Sequence, residues 1–414
     1  MNFKERNLFA MVEYFAAGCK KDQLLGLELE HFVVDKHSRR SLPYEGGVEE
    51  ILKHLQPVYG EPILSPEPQR NLVTKEVKER IIGIMREDSM ITLEPAAQLE
   101  VIIGPVRGLR EIAQIYATFT GLLTPILDGM GCELVCAGYQ PKSKVDELSL
   151  IPKQRYEYMY SHFKNTGKHG KNMMKGTAAT QVTIDYKDEE DFNKKFRVAN
   201  ILCPLFAFLC DNTEIFEGEP ITGRMIRTHI WNDVDPARCM VVKGALEKSF
   251  GFREYSEFLY NKPPILMMKN GEAVYTGTEP ASSLFKDREM TEEDILHIST
   301  MAFPDVCLKK YIEIRMADSM PISHAIAYMA LIKGLMYDNT NLDALHEATL
   351  SVRNRDIEEA KAALMQNGAE ALVYGRRGGD WVAEMLECAE SGLSAEDKAY
   401  LQPMHEWAVQ KGCI

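Results

Sequence analysis

Several familiar signatures of chemistry are missing from this 414-residue chain. It contains no GxxxxGK[ST] phosphate loop, no GxGxxG after a strand, no GxSxG elbow and no HExxH pair. Nucleotide binding of the P-loop, Rossmann or kinase type is thereby excluded, as is hydrolysis by those two motifs. Positive charge is short as well: 48 Lys and Arg against 61 Asp and Glu leave a formal net charge of −13. A nucleic-acid surface needs a cationic field, so none is expected, although a local cationic pocket for a small anion stays open. The nine cysteines form no disulfide framework. The close pairs Cys132/Cys136 and Cys203/Cys210 have neither zinc-ligand nor CxxC spacing, which suits small buried thiols in a reducing compartment. Long apolar runs are absent too. The longest, Val198–Cys210, contains Asn200 and Pro204 and is too short to span a bilayer. Met1–Arg6 is polar and lacks a signal-peptide core. A cytoplasmic protein without membrane contact is the expectation. His31, His162, His169, His229 and His297 show no zinc spacing and read as structural, with His229 set apart only by its arginine neighbours.

What is present is ordinary in bulk: 45% hydrophobic and 26% charged residues, enough for a full core. No repeat or low-complexity linker divides the chain. The spacing predicts a helix over Leu8–Ala17, a strand over Leu24–Val34 and a buried helix over Glu111–Met130. A strand follows at Val182–Tyr186 and a helix at Asp191–Cys210. Thr291 with Asp294 predicts a capped helix start, Tyr311–Met316 a further strand, and helices alone from about Ser323, with Ser394 and Asp397 repeating the cap. Short strands separated by long, unequal excursions predict an α+β domain around an antiparallel sheet.

The informative feature is acid placed inside apolar strands. Glu28 and Glu30 are two apart in Leu25–Val34, so they share one face, about 7 Å apart, with leucines on the other. Ile91–Ile103 sets Glu94 and Glu100 among β-branched residues, with Pro95-Ala96-Ala97 breaking or bulging the strand between them. Tyr311–Arg315 places Glu313 and Arg315 on one face and isoleucines on the other. Any one of these strands could simply show a polar face to solvent. Three together point to a hard divalent cation such as Mg²⁺, which takes oxygen ligands and is commonly shared with nucleotide phosphates. Arg155, Arg224, Arg227 and Arg315 lie where an anion would need partners; each taken alone reads as a surface ion pair. The glycine-punctuated, lysine-rich stretch Lys164–Lys175 reads as a solvated loop or a phosphate-facing lid.

These residues fall in segments that carry a resemblance. They are Leu-Gly-Leu-Glu-Leu-Glu-His-Phe (25–32), Ile-Thr-Leu-Glu-Pro-Ala-Ala-Gln-Leu-Glu (91–100), Gly-Tyr-Gln-Pro-Lys (138–142) and Pro-Lys-Gln-Arg-Tyr (152–156). Next come the stretch 173–185 around Thr-Ala-Ala-Thr-Gln-Val, Arg-Thr-His-Ile-Trp-Asn-Asp-Val-Asp (227–235), and the stretch 303–315 that ends in Tyr-Ile-Glu-Ile-Arg. In this order they resemble the plant-type glutamate–cysteine ligases, within the glutamine-synthetase-like carboxylate–amine ligases. The resemblance implies a curved antiparallel sheet forming a funnel with helices outside. It implies a catalytic unit over residues 1–330, with a helical segment 331–414 packed on it or appended to it. It also implies ATP, glutamate and cysteine as substrates, a γ-glutamyl phosphate intermediate, and magnesium, with manganese as an admissible replacement. By position, Glu28, Glu30, Glu94, Glu100 and Glu313 match the acids that hold the metal. Arg155, Thr180, Gln181 and Arg227 lie in the segments lining the glutamate pocket, and Arg315 looks like a phosphate contact, so that Arg315 and Arg227 are the expected catalytic groups. Two departures stand out. Leu27, Leu29 and His31 replace the Thr, His and Lys that the family commonly has around its first glutamates. Ala96-Ala97 replaces Gly-Gly in the turn, where a positive φ would strain alanine. The same residues admit a sister ligase using another amine, a non-catalytic nucleotide or amino-acid sensor, or an acidic-faced structural protein.

Overall fold

The computed structural model describes residues 2–66, 79–269 and 272–414. Among them a nine-stranded sheet forms the centre. Its strands in chain order are β1 (Leu25–Asp35), β2 (Glu61–Pro66), β3 (Glu79–Met85), β4 (Ser89–Leu93), β5 (Leu99–Val106), β6 (Cys132–Val135), β7 (Ala179–Ile184), β8 (Val306–Leu308) and β9 (Ile312–Asp318). They are ordered β8-β9-β7-β1-β5-β4-β3-β2, with β6 paired to the far end of β1. Every pairing in this sheet is antiparallel. The α+β class and the antiparallel sheet expected from the sequence are both found.

Alternation along the strands divides the sheet into two chemically different faces. Leu25, Leu27, Leu29, Val101, Ile103, Val182, Ile184, Ile312 and Ile314 are all buried in the main core. Their face is covered by long helices, among them Leu109–Gly129, Glu189–Leu209 and Ile322–Met336. His31 lies on this face as well. It has no exposed surface, with Nδ1 3.1 Å from the Leu99 carbonyl and Nε2 2.9 Å from the Tyr116 hydroxyl. Burial pushes its pKa down to about 4. Leu27, Leu29 and His31 are therefore core residues, and their difference from the family pattern does not reach the opposite face.

The expected elements recur with ends shifted by a few residues. The first helix is Phe3–Ala16, the buried helices are Leu109–Gly129 and Glu189–Leu209, and Thr291 and Ser394 both cap helices through Asp294 and Asp397. Two details differ. The lysine-rich stretch is a loop only in its first half: residues 164–169 form turns, whereas Gly170–Gly176 is helical, and Lys175 is buried, donating to the Leu148 carbonyl at 2.9 Å. The C-terminal part is not purely helical, since Leu372–Val373 pairs with Arg376–Arg377. Residue 330 falls inside the helix Ile322–Met336, against which the later helices pack. No described helix is long and apolar enough to cross a membrane.

Candidate active site

The polar face of the sheet floors a cavity of about 530 Å³. Register explains why the acids meet there. Glu30 stands opposite Glu100, and Glu100 opposite Thr92. Glu28 stands opposite Gln181, and Glu313 opposite Thr183. Residues directly paired across strands share a face, so one register carries four of the five glutamates onto the same floor. Glu94 comes from the turn joining β4 to β5, which is closed by Glu94 N–H donating to the Gln98 carbonyl at 2.9 Å. In that turn Ala97 has φ +65°, so the chain keeps a left-handed path without the usual glycine. All five glutamates line the single cavity.

Burying several carboxylates together is electrostatically unfavourable, and the site shows it. Burial, with repulsion from Glu313, raises Glu28 to about 7. Burial, with repulsion from Glu94, raises Glu30 to about 8, although Arg227 and the Ala179 N–H oppose the rise. Burial lifts Glu94, against Lys153 and Arg315. Glu100 is raised well above the usual range by burial and then by Glu28, Glu94 and Glu30. Glu313 goes the other way. Burial would raise it, but Lys309 and Arg315 outweigh burial and bring it to about 2. Its two oxygens are each held, by Lys309 Nζ at 2.9 Å and Arg315 Nη1 at 3.2 Å.

Fixed hydrogen bonds orient the acids. Glu30 accepts from the Ala179 N–H at 2.9 Å and from Gln181 Nε2 at 3.3 Å, and the same amide donates to Glu28 at 3.2 Å. The Gln181 side-chain Oε1 accepts from Arg315, and Glu100 accepts from the Thr92 hydroxyl. Gln181 thus links two glutamates to an arginine. Arg227 donates to the Arg315 carbonyl at 3.0 Å, while its buried Nε has no partner among the described residues. Both guanidinium groups lie over the Trp231 ring, at 5.8 and 5.9 Å from its centre. Arg155 reaches the cavity from the first turn of the helix Gln154–Phe163 and donates to the carbonyl and hydroxyl of Thr300 at 3.1 and 3.2 Å. Arg224 points elsewhere, toward the Gln366 carbonyl.

Gln181, Arg155, Arg227 and Arg315 all line the cavity; Thr180 does not. Thr180 pairs with Leu29 and Ala317, so it faces the helix-covered core with no exposed surface. Adjacent strand residues face opposite ways, and Gln181 took the site. Sequence reasoning missed Lys153 and Lys309, which contribute cations to the cavity wall, and Trp231, which spaces the arginines. All three lie inside segments that carry the family resemblance, but nothing in their spacing tells them from surface residues. A smaller cavity of about 300 Å³ adjoins the first, sharing Glu28 and Ile102 with it.

For a divalent cation the donor set is right in type: oxygen ligands, mostly buried, whose mutual repulsion a cation would relieve. The side chains are not drawn together around one point, however. Among the described residues no three His, Cys, Asp or Glu groups stand in metal-ligating geometry.

Comparison with known proteins agrees with the geometry. The model of glutamate–cysteine ligase family 2 (GCS2) matches residues 24–413. The chain is similar to the chloroplastic glutamate–cysteine ligase B of Oryza sativa subsp. japonica, 26% identical over 397 residues, covering 92% of this chain and 77% of that one. It is similar also to the chloroplastic glutamate–cysteine ligase of Brassica juncea, 28% identical over 348 residues, covering 82% and 65%. Among solved structures it resembles the glutamate–cysteine ligase of Francisella tularensis in complex with AMP. That match has a TM-score of 0.56 and 9% identity, over 94% of this chain and 82% of the other, and it is a likeness of fold.

Proposed function

The chain belongs to glutamate–cysteine ligase family 2, and from that premise we propose that it joins the γ-carboxylate of glutamate to the amine of cysteine at the expense of ATP. The observation that carries the reading is the convergence of Glu28, Glu30, Glu94, Glu100 and Glu313 on one cavity that Arg155, Arg227 and Arg315 also enter. Acids and guanidinium groups in one enclosure suit a reaction that brings together metal-bound phosphates and a carboxylate.

In the proposed mechanism the five glutamates would hold magnesium, or manganese in its place, which supplies positive charge to the nucleotide phosphates. Glu313 is the member whose charge is already balanced, by Lys309 and Arg315. Arg315, pinned by Gln181 and Glu313, faces the transferring phosphoryl group and stabilises the charge spread over its oxygens. Arg155 and Arg227 hold the carboxylates of glutamate, and Gln181 orients the acid next to Glu28 and Glu30. The γ-carboxylate oxygen attacks the γ-phosphorus of ATP in line and ADP leaves. The amine of cysteine then attacks the acyl carbon, loses its proton, and expels inorganic phosphate. No side-chain nucleophile takes part. The uncharged part of the wall, Met90, Met159, Met173 and Met174, suits a small uncharged acceptor side chain such as a thiol.

Hydroxylamine tests the first half of the reaction. With glutamate and Mg-ATP it should trap the acyl phosphate as γ-glutamyl hydroxamate. A panel of amines scored for phosphate release tests the second half. If another amine supports turnover and cysteine does not, the chain is a sister ligase of the same class.

A further inference from the structure

The segment that brings Arg227 and Trp231 to the cavity ends at Asp235, outside it. Asp235 is nevertheless tied to both elements that hold Arg155. The helix Gln154–Phe163 carries Arg155 in its first turn and His162 in its last. His162 Nε2 lies 2.9 Å from Asp235 Oδ2, and Arg238 Nε donates to that same oxygen at 2.6 Å. Asp235 Oδ1 accepts from the Ala237 N–H at 3.0 Å. Arg238 carries the linkage onward: its Nη1 donates to the carbonyls of Pro263 at 2.7 Å and Met301 at 3.1 Å, and its own carbonyl accepts from the Phe303 N–H at 2.8 Å. Those last two anchors fall at the end of the cavity-lining segment Ser299–Phe303, next to Thr300, the residue that receives the Arg155 guanidinium.

His162, Asp235 and Arg238 are 7%, 4% and 1% exposed, so the cluster works in a dry, stiff environment. Buried ionic clusters are a weak source of stability, because desolvation offsets most of their attraction. Their directional bonds do fix geometry. Here they fix the helix that presents Arg155 relative to the loop that receives it. Without that brace the guanidinium would sample orientations that ligand binding must then remove, and affinity falls with the productive fraction.

We propose that Asp235, with His162 and Arg238, is the positioning group for Arg155 and thereby sets the affinity for the acid substrate. This rests on the reading of Arg155 as a carboxylate contact. The test compares glutamate kinetics, at saturating Mg-ATP and cysteine, for the parent chain, Arg155→Ala, His162→Leu and the double variant. His162→Leu should raise the glutamate KM about tenfold while leaving kcat and the KM for ATP near the parent values. The double variant should be no worse than Arg155→Ala alone, because both changes remove one function. His162→Gln, which keeps a donor in place, should restore the parent KM. An unchanged KM in His162→Leu, or effects that multiply in the double variant, overturns the proposal. Should His162→Leu not fold, Asp235→Asn takes its place. If Arg155→Ala alone leaves the KM unchanged, it is the reading of Arg155 that fails. Hydrogen exchange then decides the brace: faster exchange across 154–163 and 299–303 in His162→Leu supports it, and unchanged exchange overturns it.

Discussion

Replacing Glu30 by Gln should make the metal-free protein more stable at neutral pH while abolishing catalysis. Glu30 is 9% exposed, and its carboxyl is raised from 4.5 to about 8 by burial and by Glu94. Because the folded-state value lies above the unfolded one, the folded chain binds the proton more tightly. Stability is then lost as pH rises from 4.5 toward 8, with the loss levelling off above 8. By proton linkage a rise of that size costs about 3 kcal/mol at pH 7 and about 1 kcal/mol at pH 5. Glutamine keeps the shape and an acceptor for the Ala179 N–H and removes the charge. For a chain of this length the gain corresponds to about 3 °C in melting temperature. The assay is differential scanning calorimetry in EDTA at pH 5 and pH 7 on parent and Glu30→Gln. The parent should melt lower at pH 7 than at pH 5, and the variant should narrow that gap by the share of Glu30, leaving the part that Glu28, Glu94 and Glu100 contribute. Equal melting temperatures at pH 7, or a variant that is less stable there, would refute the electrostatic account of the site.

Other outcomes follow from the same geometry. Arg315→Lys keeps the charge but loses the guanidinium that bonds Gln181 and Glu313 together, and should lower kcat by about 10²-fold or more with the fold intact, read by turnover and circular dichroism. Thr180→Val removes a buried hydroxyl on the far side of the sheet that has no partner among the described residues; it should leave the glutamate KM unchanged and raise stability by about 1 kcal/mol in urea denaturation. His31→Ala strands the Tyr116 hydroxyl and the Leu99 carbonyl and opens a core cavity, and should cost about 3 kcal/mol of unfolding free energy. Mg-ATP should raise the melting temperature of the parent, and by less in Glu30→Gln if Glu30 helps hold the metal.

Much of the site could be read from period-two alternation alone. Glu28 and Glu30 had to share a face, as did Glu313 and Arg315, and the opposite positions were plainly core. Pro95-Ala96-Ala97 marked the turn that delivers Glu94. What alternation could not give was which strands are neighbours, so the pairing of Glu30 with Glu100 and of Glu28 with Gln181 was invisible before the sheet was assembled. Thr180 shows the limit from the other side. The spacing predicts a strand from Val182, but it starts at Ala179, and within it only one of the two adjacent polar residues can face the cavity. Lys309 and Lys153 have no local signal, because a lysine beside a strand or just before a helix looks the same whether it meets solvent or a buried glutamate. The His162–Asp235–Arg238 cluster joins residues up to 76 positions apart through side chains alone, beyond what any periodicity encodes.

The most direct measurement is ADP release by the purified chain with Mg-ATP and glutamate, with and without cysteine. The account predicts slow release with glutamate alone, strong stimulation by cysteine, and one γ-glutamylcysteine formed for each ADP. Release that is unaffected by glutamate and cysteine together would contradict it.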